Sequence, residues 1–457
     1  MWIMMEIKNK LLKQVPISPL ITFRICFGAI MLFSILRFWL NGWIKTQYIS
    51  PKFYFTYMGF DWVKPLGDTG MYALFFIMGI TSLLVLTGLW YRFAIILFFI
   101  SFTYVELIDV TNYLNHYYLI SLISFLMIFL PANRAFSLDV WINPKKRCMQ
   151  VPMWTIGIIR LQIGMVYFFA GLAKLHTDWM LHALPMKIWL PAKSHLPVVG
   201  QFLYKEWVAY FFSWFGALYD LLIVFFLINR ITRPYAYIAV IGFHICTAIV
   251  FPAIGMFPYV MILCSLIFLS DDFHQHLFSF FKSPASFKRS AVNRPNQNFQ
   301  YSRSALKFLS AMLGLYFILQ VVIPMRYLIY PGPVFWYEEG YRFSWRVMLM
   351  EKSGNTFFYI KEPRSGRMFE VNNPDFLTPQ QEKMMSTQPD MIIHYARYLK
   401  NIYQQRGLQN PAVYAEGYVA LNGERSRSFI NKTVDLSAQE LSWDHVKFIL
   451  PNTNTQH

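Results

Sequence analysis

Charge is scarce in this sequence: 14% of its 457 residues are charged, against 56% that are hydrophobic. A soluble domain of this size needs more polar surface, and the apolar excess falls in long blocks, which points to a multi-pass membrane protein. Cysteine is scarcer still, at four. Cys26, Cys246 and Cys264 lie in apolar segments and Cys148 in a basic loop, with no CxxC pair, which argues against structural disulfides and a zinc site. Acidic residues number only 24 against 41 Lys and Arg, a formal charge of +17. In a chain of this hydropathy the excess marks cytoplasmic loops rather than a nucleic-acid partner. A cleavable signal pattern is missing as well. Lys8, Lys10 and Lys13 precede a full-length apolar stretch, so the first span is expected to act as its own targeting signal. Internal repeats and low-complexity tracts are absent.

What is present are about nine apolar blocks of helical length, near 19–40, 71–90, 92–108, 117–131, 153–173, 207–228, 235–251, 255–269 and 306–324. The connections after the second, fourth, sixth and eighth are basic, carrying Arg92; Arg134, Lys145, Lys146 and Arg147; Arg230 and Arg233; and Lys282, Lys288, Arg289, Arg294 and Arg303. Those after the third and seventh hold no Lys or Arg. The positive-inside rule therefore sets the N-terminus and the basic connections in the cytoplasm and delivers the chain from about 326 to the extracytoplasmic side. The expected fold is an all-α multi-pass transmembrane bundle over residues 1–325, followed by an extracytoplasmic, β-rich α+β domain over 326–457. In that domain Tyr341–Met350 and Thr356–Lys361 read as strands joined through the turn string Ser353-Gly354-Asn355. Glu370–Val371 follows Arg364-Ser365-Gly366, and Val413–Leu421 and Ser428–Leu436 form a further strand pair. Thr378 and Asp390 are expected N-caps of two short helices, the second ending at Gly407. Residues 283–304 read as a linker.

Polar residues at the ends of the spans carry the functional signal. On the fifth block Gly157, Gly164 and Gly171 recur every seven residues and leave a groove for close helix packing. Arg160, Tyr167 and Lys174 share that spacing on an adjacent stripe, which would face the bundle interior or a cavity rather than lipid. A partly dehydrated lysine can act as a base. The structural alternative is that Lys174 reaches the interface or pairs with Glu106 or Asp109, and the two roles oppose each other: a carboxylate partner holds the proton on the amine, whereas a base must be free of it. His116 follows Asn115, and Glu106, Asp109, Tyr113 and His116 share one face if the helix continues. His244 sits deeper in the seventh block. His274-Gln275-His276, beside Asp272, reads as a solvated loop, and His176, His182 and His195 lack ligand spacing, so no metal is assigned. Asn431-Lys432-Thr433 matches a glycosylation sequon.

The strings NHYYL at Asn115–Leu119, VYFFAGLAKLHTDW at Val166–Trp179, IGMFPYVM at Ile254–Met261 and FSWRVML at Phe343–Leu349 together resemble the vitamin K-dependent γ-glutamyl carboxylase family, including bacterial members with the HTTM membrane domain. The resemblance runs from about residue 20 to 450. It implies that Lys174 is the catalytic base and that His116 assists at the hydroquinone site, with Asn115 beside it. Tyr167 and His244 join Asn115 as cofactor-binding candidates, and Tyr341 and Trp345, in a string like the family's YxxSW segment, as substrate-contact candidates. The competing role for that aromatic pair is the core of a small β domain. The implied chemistry removes a proton from reduced vitamin K (phylloquinol or menaquinol), adds dioxygen and so generates a base strong enough to take a glutamyl γ-proton. The glutamyl carbanion then captures carbon dioxide while the quinone leaves as its epoxide. The implied partners are membrane lipids and a glutamate-containing protein or peptide.

The sequence departs from the animal enzymes at Ala173, where they carry a further lysine. It also lacks their lumenal cysteine pair and is shorter, which points to a bacterial inner membrane. The resemblance thus carries quinol oxygenation further than carboxylation of any particular protein. Two other readings stand beside it. One is a quinol epoxidase or oxygenase without carboxylation; the other is a non-catalytic quinone- or lipid-binding protein or transporter, against which the absence of an inverted repeat argues.

Overall fold

The structure, a computed structural model, describes Glu6, residues 9–279 and residues 298–452. Most of the expected linker and the cations Lys8, Lys282, Lys288, Arg289 and Arg294 lie outside the described residues. The membrane half is built from α1 (Ser18–Leu40), α2 (Gly67–Thr87), α3 (Tyr91–Ile108), α4 (Asn115–Ile128), α5 (Met153–Ala173), α6 (Glu206–Ile228), α7 (Arg233–Val250), α8 (Phe257–Ser265), α9 (Asp271–Ser279) and α10 (Arg303–Met325). Among the described residues, six helices are long and apolar enough to cross a membrane: α1, α2, α5, α6, α7 and α10, the last prolonged to Ile329. The count becomes seven if the segment Phe257–Phe268 and α9, which meet at 112°, make one broken span. The expected nine is therefore reduced. The third, fourth and eighth blocks are helical, but α4 has only 14 residues and the eighth is sharply bent.

Close helix contacts explain why small residues sit where they do. A Cβ on Gly171 would lie 2.7 Å from the backbone nitrogen of Leu221 on α6, and one on Gly164 would lie 3.2 Å from Val224. Gly157, by contrast, has nothing within 4 Å of that position, so only two of the three glycines form the α5–α6 groove. Several buried polar side chains hydrogen-bond to backbone or to one another. Arg24, fully buried on α1, donates to the carbonyls of Val85 and Leu86 at the end of α2 and to that of Phe136. On α10, the Tyr316 hydroxyl donates to Gln162 of α5 at 2.7 Å and Gln320 donates to the Tyr118 hydroxyl of α4 at 3.2 Å.

Several local expectations give way to tertiary context. The helix carrying Glu106 stops at Ile108. Asp109 is extended, with φ −146° and ψ 119°, and accepts hydrogen bonds from Thr111, so the continuous face from Glu106 to His116 does not form. His274 lies in helix α9 rather than a loop, fully buried and 2.9 Å from the Thr22 hydroxyl. A two-stranded antiparallel ribbon that the sequence did not announce, β1 (Gln14–Pro16) with β2 (Gln150–Pro152), ties the N-terminal segment to the start of α5.

The C-terminal half holds one antiparallel sheet in the order β4 (Met368–Glu370), β3 (Lys352–Lys361), β5 (Ala412–Leu421), β6 (Arg427–Ser428). The string Ser353-Gly354-Asn355 is not a turn but the interior of β3. A Cβ on Gly354 would stand 2.6 Å from the carbonyl of Tyr418, so the glycine marks close backbone approach within the sheet. The strand expected across Tyr341–Met350 is absent, and that expected over Ser428–Leu436 is reduced to the two residues of β6 and an Ile430–Ile449 bridge. Helix α11 (Pro379–Met385) starts with a full capping box between Thr378 and Gln381. Helix α12 (Pro389–Gln405) is capped at Gln388; Asp390, the expected cap, sits in its first turn. The apolar face of α12, with Met391, Ile392, Tyr395 and Leu399, packs on Phe358, Val413 and Ala415 of the sheet. The same core takes in Phe53, Phe55, Trp179 and Leu190 from the membrane half. Gln381 reinforces the junction by donating to the Phe53 carbonyl at 2.7 Å and to Asp109 Oδ2 at 2.9 Å.

The α5–α6 contact yields a direct test. Gly171→Ala forces a methyl against the Leu221 backbone and is expected to cost about 1–3 kcal/mol, read as a lower thermal midpoint in detergent; Gly157→Ala should leave that midpoint unchanged.

Candidate active site

Lys174 ends α5, and its side chain turns into the bundle. It is 7% exposed, and Nζ donates to Asp220 Oδ2 at 2.5 Å and to the Ala170 carbonyl at 3.2 Å. The Trp179 ring centroid lies 5.6 Å from Nζ, and that indole is fixed by donating to the Ser213 carbonyl at 2.7 Å. The carboxylate partner is thus neither Glu106 nor Asp109 but Asp220, in the middle of α6. An isolated ammonium or carboxylate at this depth would be costly, and each is tolerable because the other stands beside it. Of the two acceptors that Nζ meets, only Oδ2 belongs to a titratable group.

Tyr167, one helical repeat before Lys174, places its hydroxyl 2.9 Å from His244 Nε2 and 3.4 Å from Ser265 Oγ. The remaining member of the stripe, Arg160, is spent on the Ile267 carbonyl at 2.9 Å. Lys174, Asp220, Tyr167 and His244 all line one cavity of 330 Å³, otherwise walled by apolar side chains, Phe215 and Met261 among them. His244 Nδ1 is buried there with no hydrogen-bond partner among the described residues. Val347 and Met348, from the C-terminal half, also line the cavity.

His116 and Asn115 open α4 and line a second, upper cavity of 650 Å³ at the junction of the two halves. Phe251, Ile254, Phe257, Val347 and Met348 belong to both cavities. Phe257 stands near both histidines: its ring centroid is 6.1 Å from that of His116 and 6.0 Å from that of His244.

The roof shared by both cavities is the irregular segment 338–350. Glu338, Phe343, Trp345 and Met348 all have left-handed φ, between 51° and 60°, which is unfavourable for side-chain-bearing residues and persists only where surroundings enforce it. The enforcement is visible. The Tyr113 hydroxyl accepts from the Phe343 amide at 2.8 Å, Asn115 Nδ2 donates to the Arg346 carbonyl at 3.1 Å, and Trp345 stacks on Tyr118 at 5.0 Å. Arg342 Nη1 donates to Asp390 Oδ2 at 2.5 Å, with Gln388 as a further partner. Lys352 donates to Glu338 at 2.8 Å. Tyr341 lines the upper cavity, but Trp345 is fully buried in the membrane-side core and lines neither cavity.

Asp220 and Arg346 are the residues that sequence reasoning missed. A lone carboxylate inside WFGALYDLLIVFF carries the same signal that marks Lys174, and it was available.

Two outcomes follow from this geometry. Asp220→Asn leaves the Lys174 ammonium buried without a countercharge and is expected to cost about 3–5 kcal/mol. The thermal midpoint should fall, and adding Lys174→Met should recover most of the loss. At the roof, desolvation opposes charge on both Arg342 and Asp390, but their attraction prevails, raising the guanidinium and lowering the carboxyl from their ordinary values. A carboxyl lowered on folding stabilises above its ordinary value of about 3.9 and loses that contribution only as pH falls below it. Amide exchange across 341–350 should therefore keep its protection from pH 7 to pH 5, whereas Asp390→Asn should lose protection throughout that range.

Residues 12–273 match the family model described as HTTM domain, and residues 305–455 match that described as Vitamin K-dependent gamma-carboxylase, lumenal domain. No solved structure matches the chain. Six apolar helices among the described residues and a lumenal-domain match over residues 305–455 make it a multi-pass membrane protein with a lumenal C-terminal domain. Both matches, in this order and over nearly the whole length, show that the chain belongs to the vitamin K-dependent gamma-carboxylase family.

Proposed function

We propose that the protein carboxylates glutamyl side chains at the γ-carbon, driven by oxygenation of reduced vitamin K, with dioxygen and carbon dioxide as co-substrates. The observation that carries this reading is the Lys174–Asp220 pair at the wall of a mostly apolar cavity. The cavity suits a fused-ring quinol: its walls are aromatic and aliphatic, and His244 Nδ1 is a buried polar atom in want of a partner. When bound, reduced vitamin K supplies the oxygenation chemistry that yields a base strong enough for a glutamyl γ-proton.

The chain's own residues bind, orient and move the first proton. Asp220 Oδ2 receives the proton of the Lys174 ammonium along their 2.5 Å contact, which frees the amine. Lys174 Nζ then accepts the proton of a quinol hydroxyl. Tyr167 and His244, locked together at 2.9 Å, orient the ring from the opposite wall. His116, beside Phe257, donates a hydrogen bond toward the reacting oxygen, and Asn115 holds the roof over it. Val347 and Met348 exclude water, which would otherwise quench a strong base. The peptide substrate enters through the upper cavity, whose wall includes Tyr341. The N-terminus lies on the cytoplasmic side, and the host membrane is a bacterial inner membrane.

The test is vitamin K epoxide formation by detergent-purified protein supplied with reduced vitamin K, oxygen and bicarbonate, with and without a Glu-containing peptide. Wild type should form epoxide, faster with peptide, and Lys174→Ala should lose at least about a thousandfold, in the range that removal of a general base costs. Epoxide indifferent to peptide would favour an epoxidase without carboxylation. No epoxide from folded wild type with either phylloquinol or menaquinol would contradict the reading.

A further inference from the structure

The upper cavity holds more positive charge than its own carboxylates neutralise. Lys193, Arg342, Arg346, Lys352 and Lys383 line it, against Glu338. Two of the cations are already matched, Lys352 by Glu338 at 2.8 Å and Arg342 by Asp390 at 2.5 Å. Arg346 is different. It is 6% exposed, its Nε is buried without a hydrogen-bond partner, and among the described residues no carboxylate lies within ion-pair distance of it. Aromatic faces hold it instead: its guanidinium carbon stands 4.3 Å from the Tyr327 ring centroid and 5.6 Å from that of Phe335. Such stacking fixes the plane of the group but does not neutralise its charge. Its own carbonyl is pinned by Asn115, the neighbour of His116, so the backbone that carries the guanidinium cannot drift from the site.

A buried, oriented guanidinium without a counterion, on the wall of an accessible cavity, is a receptor for a carboxylate. We propose that Arg346 anchors the γ-carboxylate of the glutamyl substrate. This deepens the proposed function, on which it rests for the identity of the carboxylate. A planar fork can engage both carboxylate oxygens, which fixes the adjacent γ-carbon in place. The charge that builds on those oxygens when that carbon is deprotonated falls on the same guanidinium. Lys193 and the exposed Lys383 draw an acidic peptide toward the cavity.

The experiment is peptide binding to the full-length protein in detergent, without quinol or oxygen, using a short peptide containing one Glu and the same peptide with Gln. Wild type should bind the Glu peptide at least about tenfold more tightly. Arg346→Gln should abolish the preference by weakening only the Glu peptide, and Arg346→Lys should restore part of it, since it keeps the charge without the fork. Arg346→Met, which retains an apolar stem between Tyr327 and Phe335, carries the test if Arg346→Gln does not fold. Equal binding of both peptides by wild type would overturn the proposal, as would an equal loss of both in the variants. A wild type that forms no epoxide yet shows an Arg346-dependent Glu preference would support the anchor while overturning the reaction.

Discussion

The contact between Lys174 Nζ and Asp220 Oδ2 is the constraint on which the membrane half turns. Two charges sit where neither could stay alone, and holding them 2.5 Å apart requires α5 and α6 to pack without slack. Gly171, three residues before the lysine, lets the α6 backbone come close at Leu221, directly after Asp220. Helix packing and site electrostatics are thus one feature. The groove that small residues open is the groove that brings the carboxylate to the amine.

The second constraint is the roof. A segment with four left-handed non-glycine residues has no local reason to hold its shape, and its stability comes from the start of α4 and from α12. Tyr113, Asn115 and Tyr118, which bracket His116, are the residues that grip Phe343, Trp345 and Arg346. The two halves therefore meet through their functional strings: the string that carries the histidine binds the string that covers the cavity. Both cavities are lined by that same loop, through Val347 and Met348.

Much of this was legible in the sequence, for a simple reason. Ionisable residues inside apolar stretches are rare enough to be informative, and Lys174, His116 and His244 stood out on that ground, while Tyr167 stood out by its seven-residue spacing from Lys174. Asp220 carried the same signal, but its pairing crosses 46 residues and two helices, and no local pattern reports that. Tyr341–Met350 alternates like a strand, yet tertiary hydrogen bonds override the pattern and bend it into a roof. Ser353-Gly354-Asn355 has turn composition, yet Gly354 answers to a neighbouring strand. Trp345 was expected at a substrate or in the core of a small β domain; stacked on Tyr118, it sits instead in the membrane-side core. Arg346 carried no signal in one dimension, because its lack of a counterion exists only in three.

The central claim is that Asp220 takes the proton that frees the Lys174 amine. Isotope-edited infrared difference spectroscopy on anaerobic binding of reduced vitamin K reads that proton directly. The account predicts a carboxylic-acid C=O band that appears on binding in wild type and is missing in Asp220→Asn. An Asp220 that remains a carboxylate with the quinol bound would contradict it.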